Sequence, residues 1–292
     1  CIRDRLVCGN DIGRGDRVSK GIYVGKGDPM GVTDLAADVS ADGQGAVVTW
    51  TAPTQGKADS YIDVSTLNYD IVRFKDNETK GDTIALGHKG TEYVDNAIEA
   101  MANYSYAVTP NTDNAKGDVV KTAKAVFGPA FEMPATFGFN TVEEFEIWKT
   151  IDANGNYSTW TWSDGYYGSM RGAKCNYNYD EVAAADWLIS PRLNGDEQTI
   201  SFFARSFTLE NQQPERMRVL YSTTDTDPAN FTKIHAADYI ELSGEWTEFR
   251  YVVPQGARYF AVNCVSDSGF AMFVDDLSFC LLYTSPSPRD RG

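Results

Sequence analysis

Short runs rich in Val, Ile, Thr, Tyr and Phe, separated by clusters of Gly, Asp, Asn and Pro, recur along the whole chain, and long helical periodicity is absent. Alternate side chains of a strand point to opposite faces, so a chain of such runs must stack sheets to cover the apolar side of each. In the first part the runs are 32–39, 46–50, 67–74, 92–95, 104–110 and 119–126, the number and spacing of a seven-stranded sandwich. In the second, runs at 199–204, 217–222, 248–253 and 259–265 outline a larger sandwich, with a short helical turn at 140–145. Five of the six tryptophans lie there, enough with its phenylalanines to fill a core between two sheets. The expected fold class is all-β, a smaller sandwich followed by a larger one.

Charge narrows the range of partners. The chain carries 26 Lys and Arg against 41 Asp and Glu, a formal net charge of -15, which repels nucleic acid and anionic membrane surfaces. No apolar run approaches the roughly 20 residues of a membrane helix. Cys8, Cys175 and Cys264 lack metal-ligand spacing and read as buried free thiols. His88 and His235 sit in different parts of the chain, and neither has a metalloprotease or triad context. No GxSxG, Walker A or strand-following GxGxxG motif is present. The inventory is that of a binding protein without catalysis.

Three groups of residues invite a site. Asp152-Ala153-Asn154-Gly155-Asn156 places oxygen donors at alternate positions around a glycine, as a hard cation requires, and the same pattern makes a metal-free Asx turn. Asp275-Asp276 follows the apolar pair Phe273-Val274; one of two adjacent strand residues faces inward, where a carboxylate needs a cation, an arginine or backbone donors. Trp160, Trp162, Tyr166 and Tyr167 form an aromatic run around Gly165 and Gly168. The two tryptophans share a strand face that suits core packing, and the two tyrosines suit ligand contact.

The order of Ile151-Asp152-Ala153-Asn154-Gly155-Asn156, Trp160, Ala185-Asp186-Trp187-Leu188-Ile189-Ser190-Pro191, Thr199-Ile200-Ser201-Phe202-Phe203, Met217-Arg218-Val219-Leu220-Tyr221-Ser222 and Phe273-Val274-Asp275-Asp276-Leu277-Ser278-Phe279 resembles the cleaved-adhesin, or choice-of-anchor J, domain of bacterial surface proteins. That resemblance implies a jelly-roll β-sandwich that binds ligands, often through or beside Ca²⁺, and performs no chemistry. It implies Ca²⁺ at Asp275 and Asp276, with Asp152, Asn154, Asn156 and Asn140 as further donors; Asn140 stands where the family often carries an acid.

Upstream, the segment 98–108, Ile-Glu-Ala-Met-Ala-Asn-Tyr-Ser-Tyr-Ala-Val, resembles the entry to strand F of fibronectin type III domains, with Tyr104 as the tyrosine corner. Residues 6–28 resemble the last hairpin of a preceding type III domain. Cys280-Leu281-Leu282-Tyr283-Thr284-Ser285-Pro286-Ser287-Pro288-Arg289-Asp290 resembles a translated transposon-type sequencing adapter, and Cys1-Ile2-Arg3-Asp4 its reverse complement. Residues 1–5 and 280–292 are accordingly expected to pack against nothing. The expected layout is a type III (Ig-like) sandwich at 29–128 and a jelly-roll domain at 129–279. Its expected function is a secreted or cell-surface module binding a glycan or a host or matrix protein. Alternatives are purely architectural domains, or accessory modules of a larger protease or glycoside hydrolase.

Overall fold

The computed structural model describes residues 2–6, 9–10, 12–14, 18–22, 27–165, 167–168, 170–176, 183–210, 212–267 and 269–282. They are nearly all strand and turn, and the chain divides into two compact units, Cys1–Pro129 and Ala130–Gly292.

In the first unit one sheet holds Thr33–Val39, Ala46–Thr51 and Glu92–Asp95; the other runs Asp82–His88, Asn68–Lys75, Ala102–Thr112, Ala115–Lys116. Val120–Lys121 and Ala125–Phe127 also pair with Ala102–Thr112. Between the sheets lie Val48, Trp50, Tyr69, Ile71, Tyr106 and Phe127. The Tyr104 hydroxyl donates to the Ala100 carbonyl at 2.9 Å, the backbone contact of a tyrosine corner. Buried Asp95 accepts from Arg73 at 3.1 Å and from the Tyr106 hydroxyl at 3.0 Å, which compensates its desolvation.

The run expected at 119–126 is broken into two short strands, and the strand Asp82–His88 escapes sequence reading. It lies at a sheet edge with most side chains in solvent, so no apolar alternation marks it. Ile2–Leu6 pairs antiparallel with Val18–Ile22, and Gly9–Asn10 with Gly13–Arg14. At the far end Cys280 and Leu281 pair with Thr199 and Gln198. For residues 2–5, 280 and 281 these ladders correct the expectation of packing against nothing, because a ladder needs only backbone N–H and C=O groups in register. Cys8 and residues 283–292 lie outside the described residues.

The second unit is a sandwich of two six-stranded sheets. One runs Trp160–Ser163, Gly172–Asn176, Ala271–Leu281, Gln198–Phe207, Thr247–Val253, with Ala135–Phe137 also paired to Ala271–Leu281. The other runs Lys149–Asp152, Asp186–Ile189, Tyr259–Cys264, Arg216–Ser222, Thr232–Lys233, with Ile240–Glu241 also paired to Arg216–Ser222. The core between them includes Phe137, Phe139, Trp148, Phe202, Phe260 and Phe279, whose rings meet mainly edge to face. The α-helix Val142–Glu146 is capped reciprocally: Thr141 Oγ1 accepts the Glu144 N–H, and the Glu144 carboxylate accepts the Asn140 N–H.

The strand Gln198–Phe207 alternates throughout. Ile200, Phe202 and Ala204 enter the core, so Phe203, Arg205 and Phe207 face outward. Across from it, Val274 and Leu277 both enter the core, three positions apart. A β-bulge between Ser201 and Phe203 accommodates the extra residue, and Asp276 sits there with φ 48, in the left-handed region that Asp tolerates.

Candidate functional site

The outer face of the first sheet is aromatic where a sandwich normally turns polar residues to water. In register, Lys174 lies opposite Phe273 and Phe273 opposite Arg205, and Trp246 stands just ahead of the next strand. Antiparallel partners share a face, so these residues form one row across the sheet. The Arg205 guanidinium is 5.2 Å from the ring centres of both Trp246 and Phe273, and the Lys174 ammonium is 5.7 Å from that of Phe273. One step along, Tyr167 stacks on Phe203 with centroids 3.7 Å apart and planes at 13°, and meets Trp246 edge-on at 5.8 Å. Tyr167 keeps 45% of its surface exposed, and Phe207 44%.

The loop between Trp160–Ser163 and Gly172–Asn176 folds over this face. A Cβ on Gly165 would fall inside the Phe273 ring, and one on Gly172 would strike the Gly165 carbonyl, so the two glycines permit the close approach. Asp275 fastens the loop. Its Oδ2 accepts the Tyr167 N–H at 2.7 Å, its Oδ1 accepts the Asp276 N–H at 2.8 Å, and none of its surface is exposed. Asn140 Oδ1 accepts the Met170 N–H at 3.3 Å, and Gly168 lies against the half-buried Asp276 carboxylate. Asp275 lies opposite outward-facing Phe203. Its burial comes from the loop laid over it, which corrects the expectation that one acid of the pair points into the core.

The other predicted donors form a separate group at the opposite end of the Trp160–Ser163/Gly172–Asn176 hairpin. Asp152 accepts three backbone N–H groups, from Gly155, Asn156 and Tyr157, at 2.8, 3.2 and 2.7 Å. Asn154 Nδ2 donates to the Ala183 carbonyl, and Asn156 Oδ1 accepts the Ser158 N–H. This is the Asx turn. Asp275 and Asn140 likewise spend oxygens on loop N–H groups, and among the described residues no three His, Cys, Asp or Glu gather as metal ligands. Oxygens of Asp152, Asp275 and Asn140 thus accept N–H donors, while Asn154 Oδ1 is buried without a hydrogen-bond partner.

Trp160 is buried in the core and donates to the Asp186 carbonyl at 3.0 Å, which removes it from the ligand-contact set. Trp162 packs against the core edge, donates to the Phe139 carbonyl at 2.7 Å and carries the Arg171 guanidinium 4.9 Å above its ring. Tyr166 lies outside the described residues. Beneath Trp160 is a buried polar pocket. Asp186 lies opposite Asp152 on one side and Cys264 on the other, and the Cys175 thiol donates to its Oδ2 at 3.6 Å. Burial first, and the neighbouring Asp152 second, push the Asp186 carboxyl up to about 7. Burial also raises Glu215, and a hydrogen bond with Cys264, then burial, pushes the Cys175 thiol up. An unreactive, buried Cys175 thiol is the consequence.

Sequence reading missed Lys174, Phe203, Arg205, Trp246 and Phe273. The alternation of 199–207 shows that Phe203 and Arg205 leave the core, but not what lies beside them.

No family model and no curated protein matches the chain. Among solved structures it is similar to the K1 cleaved adhesin domain of Lys-gingipain (Kgp) from Porphyromonas gingivalis W83, with 21% identity and a TM-score of 0.41 over 51% of this chain and 97% of that one. The K3 domain of the same protein gives 22% and 0.39 over 45% and 88%. The CBM22-1 xylan-binding domain of Paenibacillus barcinonensis Xyn10C gives 10% and 0.36 over 54% and 99%.

Proposed function

We propose that the second unit is a non-catalytic ligand-binding module of a secreted or cell-surface bacterial protein, taking a glycan on its outer aromatic face, with the first unit as a type III-like spacer. One observation carries the reading: Tyr167, Phe203 and Trp246 are assembled on the outer face beside buried Phe273, with Tyr167 half in water. Sugar rings present apolar C–H faces that stack on such surfaces. Both histidines have structural partners. His88 Nε2 donates to the Glu92 carbonyl, and His235 Nε2 accepts the Val219 N–H while burial, then Lys233, lowers its pKa. Among the described residues no helix is long and apolar enough to cross a membrane.

A second reading, a host or matrix protein as ligand, is favoured by Tyr157, fully exposed at φ 64 on the loop that Asp152 braces. The experiment is a glycan array and a matrix-protein panel with the whole chain, followed by Tyr167→Ala, Trp246→Ala and Tyr157→Ala on each hit. A contacting aromatic costs about 1–3 kcal/mol on truncation, a five- to 150-fold loss. Glycan binding that falls with the first two changes supports the proposal. A hit lost only with Tyr157→Ala moves the site to the Asp152 loop, and binding indifferent to all three overturns both readings.

A further inference from the structure

Arg205 and Lys174 lie against the rings of this face, and neither has a carboxylate partner among the described residues. Other cations do: Arg216 with Glu241, Lys233 with Asp238, Arg250 with Glu248. Arg205 Nε is sealed from solvent with no hydrogen-bond acceptor, between the rings of Trp246 and Phe273. Two acids of this face are engaged elsewhere. Glu248, opposite Phe203, is paired to Arg250 at 2.9 Å, and Asp275 is wholly buried with its oxygens accepting the Tyr167 and Asp276 N–H groups.

We propose that this face selects acidic glycans, those bearing a uronate carboxylate or a sulfate, with Arg205 and Lys174 gripping the anionic groups while the sugar lies on Tyr167 and Trp246. The inference rests on the glycan reading above and adds the ligand's charge class. A guanidinium already held between rings surrenders little freedom on binding, and its donors match a carboxylate or sulfate in two-pronged contact. Lys174 and Arg205 are two strands apart on one row, about 10 Å at the usual strand spacing, within the span of a disaccharide. The pair supplies two cationic contacts on one side of a strongly acidic molecule, so selection is local and salt-sensitive.

The test titrates the full chain with two matched pairs: oligogalacturonate against its methyl ester, and dextran sulfate oligomers against dextran. The expected result is that the acidic member of at least one pair binds about tenfold tighter than its neutral partner, weakens as salt rises, and loses that preference in Arg205→Gln and Lys174→Gln. The two pairs distinguish carboxylate from sulfate. Arg205→Lys keeps the charge without the fork and retains part of the preference. Should Arg205→Gln melt early, Lys174→Gln at a half-buried site still reads the outcome.

Equal binding of the neutral partners, or of a neutral glycan alone, overturns the charge selection and leaves the glycan reading standing. A preference that survives both changes also overturns it, and polyglutamate competing as well as the sugars overturns the glycan class. A blank across every glycan overturns both.

Discussion

Asp186 shows how one side chain can write a pH dependence into a sandwich. It has no exposed surface, its Oδ1 lacks a partner, and its carboxyl is raised to about 7 by burial and by Asp152. An unfolded aspartate titrates near ~3.9, so between there and 7 the folded chain holds the proton more tightly than the unfolded one. Its contribution is therefore complete below about pH 4 and lost as the pH rises toward 7, by up to about 1.4 kcal/mol per unit. Urea unfolding at pH 5 and pH 7 measures it. Asp186→Asn is expected to flatten that difference, and an unchanged pH dependence in the variant would assign the slope to other groups such as Glu215. The titration of Asp186 depends on Asp152 lying opposite it, a register no local pattern reveals.

At the scale of elements, the bulge at Asp276 and the loop over Phe273 act together. The bulge places an extra residue in the last strand while Asp275 stays on the outer side, where it accepts the Tyr167 and Asp276 N–H groups. Removing that acceptor inside a covered site costs about 1–3 kcal/mol for each stranded donor. Asp275→Ala is thus expected to lower the melting temperature, expose the Tyr167 amide to hydrogen exchange, and weaken ligand binding; Asp275→Asn, which keeps an acceptor oxygen, loses less. Undiminished protection of the Tyr167 amide in Asp275→Ala would show that the loop is held by other contacts. The acidic pair was visible in the sequence as a feature needing a solution. That the solution is a loop rather than a core partner depended on Gly165 and Gly172 allowing the loop to close.

For the whole molecule, the two units carry separate cores, and Trp50 alone of the six tryptophans lies in the first. With oxygens of Asp152, Asp275 and Asn140 serving as amide acceptors, melts in calcium and in chelator are expected to coincide. A ligand bound to the folded state alone at about 100 times its dissociation constant would add roughly 2.7 kcal/mol, so a rise of several degrees in calcium would show that these loops re-form around a cation. Composition and period two determined the all-β class and most core strands, because each is a property of neighbouring residues. Which strands adjoin is decided by long-range pairing. Lys174, Phe273, Arg205 and Trp246 meet only because Ala271–Leu281 lies between Gly172–Asn176 and Gln198–Phe207. Periodicity tells which residues of a strand share a face, and only the tertiary register tells what stands beside them.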